Sequence, residues 1–141
     1  MQVQPYLSYE GRCEEAIEFY KKAVGAQVEM LMRFSDAPAD AGMSKEGCVG
    51  PMPPADKIMH SSLRIGDSVV MATDGMTSGK TEFKGISLTL SVKDDAEAQA
   101  KFKALGDGGA VLQPLSKTFF ASSFGMVADK FGVTWMVITA P

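Results

Sequence analysis

The stretch LSYEGRCEEAIEFYKKAVGAQV, residues 7–28, decides the fold because a related stretch occurs a second time in the chain. A shift of 83 positions, from Leu7 to Leu90, places it without a gap on LSVKDDAEAQAKFKALGDGGAV, residues 90–111. The residues that coincide are Leu7 and Leu90, Ser8 and Ser91, Glu14 and Glu97, Phe19 and Phe102, Gly25 and Gly108, and Val28 and Val111. Each copy predicts a strand end, an amphipathic helix and a glycine stop. A repeat of this length indicates a duplicated module.

Three strands are predicted after each helix, from runs of apolar and β-branched residues bounded by turn residues. They cover about 27–34, 57–65 and 68–73 in the first half, and about 110–116, 119–128 and 133–139 in the second. The predicted fold class is therefore α+β, with two tandem βαβββ modules at about 1–75 and 84–141. Neither half could bury its sheet face alone, so we expect one domain with a shared core.

The first half contains an insertion. Met71 aligns with Met136 at a shift of 65, and 83 − 65 = 18, so 18 extra residues precede Met71. They fall in the loop at about 35–56, which is rich in Pro, Gly and Ala and has no periodicity. A loop of this length is either a lid or binding element, or a disordered segment.

Composition narrows the class of protein. The 141 residues carry a net charge of −3, without the clustered Lys and Arg that nucleic acid or an anionic membrane would attract. We expect no membrane span and no secretory leader at the start, and two cysteines, Cys13 and Cys48, are too few for a disulfide framework. The sequence predicts a cytoplasmic protein that binds neither nucleic acid nor membrane.

Three segments carry a family resemblance: GRCEEAIEFYKKAVGAQVE at 11–29, HSSLRIGDSVVMATD at 60–74 and DKFGVTWMVI at 129–138. In tandem βαβββ modules they resemble the vicinal-oxygen-chelate superfamily of glyoxalase I, bleomycin-resistance proteins and extradiol dioxygenases. Within it the chain is similar to the PhnB-like branch, labelled 3-demethylubiquinone methyltransferase-like. The resemblance implies curled mixed sheets with helices on the convex side, a cavity on each concave side, and a homodimer.

The alternation of apolar residues predicts which side chains face the cavity, since the apolar side of each strand should pack on the helix. Leu63 and Ile65 are assigned to the helix side, and so are Ile86 and Trp135. The fourth strand presents Val69, Met71 and Thr73 to the cavity. The candidate ligand-binding residues are Gln4, Tyr6, Ser62, Arg64, Met71, Ser87, Thr89 and Met136, and His60 is the candidate catalytic residue.

The resemblance also locates the positions at which metal-dependent members bind their ion. Those positions fall on Gln4 (or Pro5), Met71, Ser87 and Met136, and none is His, Glu or Asp. Thioethers, an amide and a hydroxyl supply neither the charge nor the basicity that a divalent ion needs. We therefore expect no cofactor at the usual site, with an atypical divalent ion at His60, helped by Glu46 or Cys48, as the alternative.

His60, the only histidine, is either a structural hydrogen bonder or a functional group that binds substrate or acts as a general base. Arg64 either clamps an anion or pairs with an acidic surface residue. Cys13 is expected to be a small buried residue near a helix start.

Two functions remain open. The first is a metal-independent small-molecule binding protein of the resistance or sequestration type. The second is an enzyme of the lyase, isomerase or dioxygenase type that uses His60. Methyl transfer is not expected, because two βαβββ modules leave no doubly wound sheet to hold the methyl donor.

Overall fold

The computed structural model describes residues 1–36 and 53–140, and the chain divides into two compact units. The first unit comprises Met1–Lys21 and Gly25–Thr81, and the second comprises Lys22–Val24 and Glu82–Pro141. Most of the inserted loop, 37–52, lies outside the described residues, so the lid and the disordered segment remain predictions. The sharing of one core within a single domain also remains a prediction.

The first unit contains a helix, whose last three residues are counted with the second unit, and a four-stranded mixed sheet. Its elements are β1 (Tyr6–Ser8), α1 (Cys13–Val24), β2 (Gln27–Arg33), a short 3-10 helix (Phe34–Asp36), β3 (Ile58–Ile65) and β4 (Ser68–Thr73). The strand order is β1-β4-β3-β2, in which β1 runs parallel to β4 and the other pairs are antiparallel.

The second unit repeats this plan. Its elements are β5 (Ser87–Val92), α2 (Asp95–Leu105), β6 (Ala110–Ser116), β7 (Ser123–Ala128) and β8 (Thr134–Thr139). The order β5-β8-β7-β6 again pairs the first and last strands in parallel. Two tandem βαβββ modules are thus confirmed. The strand predicted to start at Phe119 starts at Ser123 instead, because residues 117–122 form a connection in which Thr118 N donates to Ala121 O.

The N-terminus of α1 is capped by a residue distant in sequence. Arg12 occupies the N-cap position and makes no side-chain cap hydrogen bond. The buried carboxylate of Asp74, immediately after β4, accepts from Cys13 N at 2.8 Å and from Ile58 N at 2.6 Å. One side chain therefore ties the first turn of the helix to the start of β3 and the end of β4.

The N-terminus of α2 is capped by a residue adjacent to it in sequence. Asp94 accepts from Glu97 N at 2.8 Å, and Glu97 accepts from Lys93 N at 3.1 Å. Thr139, at the end of β8, donates its hydroxyl to Asp94 O at 3.3 Å. The last strand is thus joined to the start of the helix by a buried carboxylate in the first unit and by a threonine hydroxyl in the second.

Burial alternates along the strands at a period of two, as in a sheet covered on one side. In β3, Ser61, Leu63 and Ile65 are buried and the intervening residues are half-buried. In β8, Trp135 and Val137 are buried, and the indole Nε1 of Trp135 donates to Asp129 at 2.9 Å. The predicted assignment of Ile86 to the covered side is wrong: it precedes β5 and is 59% exposed.

No helix in the described ranges 1–36 and 53–140 is long and apolar enough to cross a membrane.

The two hydrogen bonds that Asp74 accepts should contribute to the free energy of unfolding. Asp74→Ala should lower the free energy of unfolding by roughly 2–6 kcal/mol, since it leaves two buried N–H groups without an acceptor at about 1–3 kcal/mol each. Asp94→Ala, which removes a local cap, is the control and should cost about 1 kcal/mol. Urea unfolding of both variants measures the difference, and equal losses would contradict a structural role for Asp74 beyond ordinary capping.

Asp95 predicts a pH dependence. It accepts from Ser122 Oγ at 2.6 Å and from Ser123 Oγ at 2.8 Å, and these hydrogen bonds lower its pKa below the ordinary 3.8. A carboxyl whose pKa is lowered in the folded state stabilises the fold above pH 3.8, and this contribution is lost as pH falls through the folded-state pKa. The stability advantage of the native chain over Asp95→Asn should therefore shrink on acidification. Urea unfolding across acidic pH checks this.

The double variant Ser122→Ala/Ser123→Ala provides the matched background for Asp95→Asn. Without the two hydroxyls, the stability difference that Asp95→Asn causes should no longer vary with pH in this way. A variation as large as in the native background would show that the serines are not its cause.

Candidate functional site

The first sheet has a partly exposed surface, opposite its buried side, which we call the first open face. It consists of the residues that alternate with buried ones on β1, β3 and β4, together with the β2 residues that pair with them: Tyr6, Ser8, Met30, Met32, His60, Ser62, Arg64, Val69 and Met71. One row crosses all four strands, because Tyr6 pairs with Met71, Met71 with Ser62, and Ser62 with Met30. Side chains directly opposite one another on paired strands project to the same side.

Tyr6 and His60 form the most specific contact on this face. The Tyr6 hydroxyl lies 2.9 Å from His60 Nδ1, and the two rings are stacked with centroids 5.4 Å apart and 25° between their planes. Tyr6 is 50% exposed and His60 is half-buried. Partial burial raises the pKa of the Tyr6 phenol above its ordinary 10.0, and a hydrogen bond with Thr73 opposes the shift.

Thr73 is buried and lies next to His60 on the neighbouring strand. Ser61 pairs with Ala72, so the next residues along the ladder, His60 and Thr73, are neighbours. The Thr73 hydroxyl donates to Met59 O at 2.7 Å and accepts from Gly75 N at 3.1 Å. Gly75 has φ +57°, and a Cβ there would collide with the Ser8 hydroxyl, so the turn that holds Thr73 requires glycine.

Arg64 is engaged in an ion pair. Its Nε lies 2.9 Å from Glu29 Oε2 and its Nη2 lies 3.4 Å from Glu29 Oε1. Both side chains are about two-fifths exposed, so the pair contributes about 0–1 kcal/mol. Of the two roles expected from sequence, the structure shows the surface ion pair.

The remaining candidates divide between the two units. Gln4 precedes β1 and donates to Gln2 at 3.3 Å, while Ser62 and Met71 occupy the central row of the first open face. Ser87, Thr89 and Met136 belong to the second unit.

The second sheet has a corresponding open side. There Thr89 pairs with Met136, Met136 with Met126, and Met126 with Gln113.

The equivalent positions in the second sheet carry different chemistry. By strand pairing, the positions of Tyr6, Thr73 and His60 correspond to Thr89, Ile138 and Phe124. An imidazole beside a phenol therefore occurs on the first sheet, and the second sheet has a phenyl ring and a threonine hydroxyl at the equivalent positions.

Met30, Met32 and Glu29 on β2 were not among the predicted site residues. Met32 pairs with His60 and Met30 with Ser62, so both thioethers border the predicted residues. The alternation within VEMLMR, 28–33, was the available signal.

Cys13 is fully buried beside Asp74 and the Ser61 hydroxyl. Burial and the nearby Asp74 carboxylate raise the pKa of its thiol to about 12. Within residues 1–36 and 53–140, no three His, Cys, Asp or Glu side chains converge as a metal site would need. Glu46 and Cys48, the proposed partners of His60 in an atypical metal site, lie outside these residues.

The duplicated βαβββ architecture is a glyoxalase and bleomycin-resistance type of fold. At the level of fold alone, the chain is similar to the fosfomycin resistance protein FosX from Mesorhizobium loti, with 12% identity and a TM-score of 0.61.

Closer similarities identify the family. The family model described as 3-demethylubiquinone-9 3-methyltransferase matches residues 1–138. Protein YjdN of Escherichia coli (strain K12) is 37% identical over 138 residues, which is 97% of this chain and 94% of YjdN. The chain belongs to this family, in its PhnB-type form.

Two solved structures agree with this assignment. Protein PA1353 from Pseudomonas aeruginosa is 38% identical, with a TM-score of 0.82 over 99% of this chain and 98% of that one. The PhnB protein from Bacillus cereus is 25% identical, with a TM-score of 0.77 over 99% of this chain and 100% of that one.

The burial and protonation of the Cys13 thiol can be tested with a thiol reagent. With Cys48→Ser removing the other thiol, Cys13 should not react in the folded protein at pH 8, because it is buried and protonated far above that pH. It should react at once in denaturant. Rapid labelling of the folded chain, measured by mass spectrometry, would be inconsistent with this environment.

Proposed function

We propose that the protein binds a small organic molecule on the first open face, without a metal ion, as a resistance or sequestration type of protein. The observation that carries the proposal is the stacked, hydrogen-bonded pair of Tyr6 and His60 on a half-exposed surface. Buried aromatic pairs are usual in cores, whereas a ring half-open to solvent beside an imidazole offers a surface for a ligand.

The chemistry of the face favours a ligand with both flat and polar parts. The Tyr6 and His60 rings supply stacking area, and Met30, Met32 and Met71 supply flexible thioethers that adapt to irregular shapes. Ser62 adds a hydroxyl in the central row. Arg64 is already paired with Glu29, so an anionic ligand would have to displace that carboxylate.

The chemistry of the available donors supports binding without a metal ion. Met71 and Met136 are thioethers, Ser87 is a neutral hydroxyl and Gln4 is an amide, a set that does not fit a hard or borderline divalent ion. Methyl transfer is not part of the proposal, because each sheet is four-stranded and mixed, unlike the doubly wound sheet that holds nucleotide cofactors.

The second candidate is an enzyme of the lyase, isomerase or dioxygenase type. The contact between Tyr6 and His60 favours it, because a phenol hydrogen-bonded to imidazole can orient a general base. In this alternative His60 moves a proton of the substrate or anchors an atypical ion.

We also propose that the chain acts in the cytoplasm as a homodimer. Val111 and Leu112 on the edge strand β6 are each 55% exposed, an apolar surface that a second copy would cover. The free thiol of Cys13 suits a reducing compartment. Light scattering of the purified chain should give twice the monomer mass, and a stable monomer at micromolar concentration would contradict the dimer.

A thermal-shift screen of small organic molecules tests binding. A molecule present at about 100 times its Kd stabilises the native state by about 2.7 kcal/mol. For a molecule that raises the melting temperature, His60→Ala should weaken binding about 10–100-fold and Tyr6→Phe about 2–10-fold, through lost stacking and hydrogen bonding. Thr118→Val, a loop variant in the second unit, should bind as the native chain does.

Metal content separates the two candidate functions. Protein purified without chelator should contain no stoichiometric zinc, nickel or iron. A stoichiometric ion that disappears in His60→Ala would overturn metal independence and favour the enzyme. Molecules that bind His60→Ala and Tyr6→Phe with the affinity of the native chain would contradict binding on the first open face.

A further inference from the structure

Two methionines of β2 lie beside the only histidine of the chain. Met32 is directly opposite His60 on the neighbouring strand, and Met30 is opposite Ser62 in the same ladder. Met30 is 44% exposed and Met32 is half-buried, so neither side chain fills the core of the first unit. Their thioethers are therefore open to a ligand from solvent.

The strand register brings both thioethers within reach of the His60 ring. Residues directly opposite one another in an antiparallel pair have Cβ atoms about 4.5–5.5 Å apart, and diagonal neighbours are about 7–8 Å apart. Met32 is the opposite neighbour of His60 and Met30 is a diagonal one, and the pairing runs without a shift from Met30 to Met32. A methionine side chain has three rotatable bonds, so each sulfur can turn toward the ring.

The contact with Tyr6 leaves one imidazole nitrogen open. The Tyr6 hydroxyl lies 2.9 Å from His60 Nδ1, and no residue within 1–36 and 53–140 hydrogen-bonds to Nε2. Tyr6 belongs to β1 and the two methionines belong to β2, on opposite sides of β3 in the sheet. When Nε2 binds an ion, Nδ1 keeps its proton and donates it to the Tyr6 oxygen, the type of outer hydrogen bond that orients metal-bound histidines.

We propose that Met30, Met32 and Nε2 of His60 form a binding site for a soft monovalent cation, Cu(I). Thioether sulfur selects Cu(I) and imidazole also suits copper, whereas hard divalent ions prefer carboxylate and carbonyl oxygen. The thioether chemistry that disfavours a hard ion on this sheet therefore favours this one. Arg64, on the same strand as His60, is paired with Glu29, so that pair adds no net charge beside the ion.

The second sheet offers an internal comparison, because it has the same strand order. By strand pairing, the positions equivalent to the three proposed donors carry an amide, a hydroxyl and a phenyl ring, those of Gln113, Ser116 and Phe124. None of these groups is a soft donor. The proposed site is therefore specific to the first unit.

The site goes beyond the proposed function, because Cu(I) and an organic molecule would occupy the first open face in turn. Anaerobic titration with Cu(I), in competition with a chromophoric Cu(I) chelator, measures the affinity. Cys48→Ser serves as the parent chain because a free thiolate also binds Cu(I). Cys13 is fully buried and is retained in every variant. The parent chain should bind one equivalent.

Variants in the parent chain test each donor. Met30→Leu and Met32→Leu remove the sulfur and nearly conserve the volume, so both should fold. Loss of an outer hydrogen-bond partner costs about 10–100-fold in metal affinity, so loss of a donor in Met30→Leu, Met32→Leu or His60→Ala should cost at least about 10-fold. Met126→Leu, which removes a thioether of the second sheet, is the control and should bind as the parent chain does.

A spectroscopic measurement identifies the atoms that bind. Ag(I) is an air-stable probe of the same charge and softness. One equivalent should shift the 15N signal of His60 Nε2 and the 13C methyl signals of Met30 and Met32, and should leave that of Met126 in place. The ring signal needs no variant for its assignment, since the chain has one histidine.

Absence of one-equivalent binding by the parent chain would overturn the proposal, and so would an unchanged affinity in Met30→Leu and Met32→Leu. An unshifted His60 ring in the presence of Ag(I) would also overturn it, even if a variant did not fold. Organic molecules that bind in the thermal-shift screen, without Cu(I) binding, would refute this inference alone. Binding of Cu(I) at these donors with an empty screen would refute the proposed function alone.

Discussion

The buried carboxylate of Asp74 is the interaction on which the first unit depends. It accepts from the first residue of α1 and from the first residue of β3, so the helix and the sheet are joined at one point. The same segment contains Thr73, which neighbours His60 along the β3–β4 ladder and accepts from Gly75 N. The geometry of the candidate site is therefore built on a buried charge whose two hydrogen bonds replace its water.

The two halves of the chain share one backbone plan and differ in the side chains that they carry on it. Both sheets have the same strand order and the same parallel pairing of first and last strands. Met71 and Met136 occupy equivalent positions beside Tyr6 and Thr89. What distinguishes the first half is the combination of a phenol, a buried hydroxyl and an imidazole, and this combination gives its open face a specific hydrogen-bonding character.

The features that could be predicted from the sequence are those that depend on local patterns, namely the helices, the strands and the side of the sheet that a residue faces. Strand alternation placed His60 and Ser62 on the open side, because a period of two fixes the side once a strand is recognised. It could not pair Arg64 with Glu29 or Tyr6 with His60, since those contacts depend on register between strands, and a bulge in β2 alters that register. The capping role of Asp74 also lacks a local signal, because its partner Cys13 is 61 residues away.

The distance between Asp74 and the helix it caps has a consequence for synthesis on the ribosome. The second helix carries its own cap in Asp94 and can begin to form as soon as its residues leave the exit tunnel. The first helix receives the carboxylate of its cap only after residue 74 has emerged, although the helix itself is made much earlier. The time between synthesis of a helix and arrival of its cap is thus long for the first helix and short for the second.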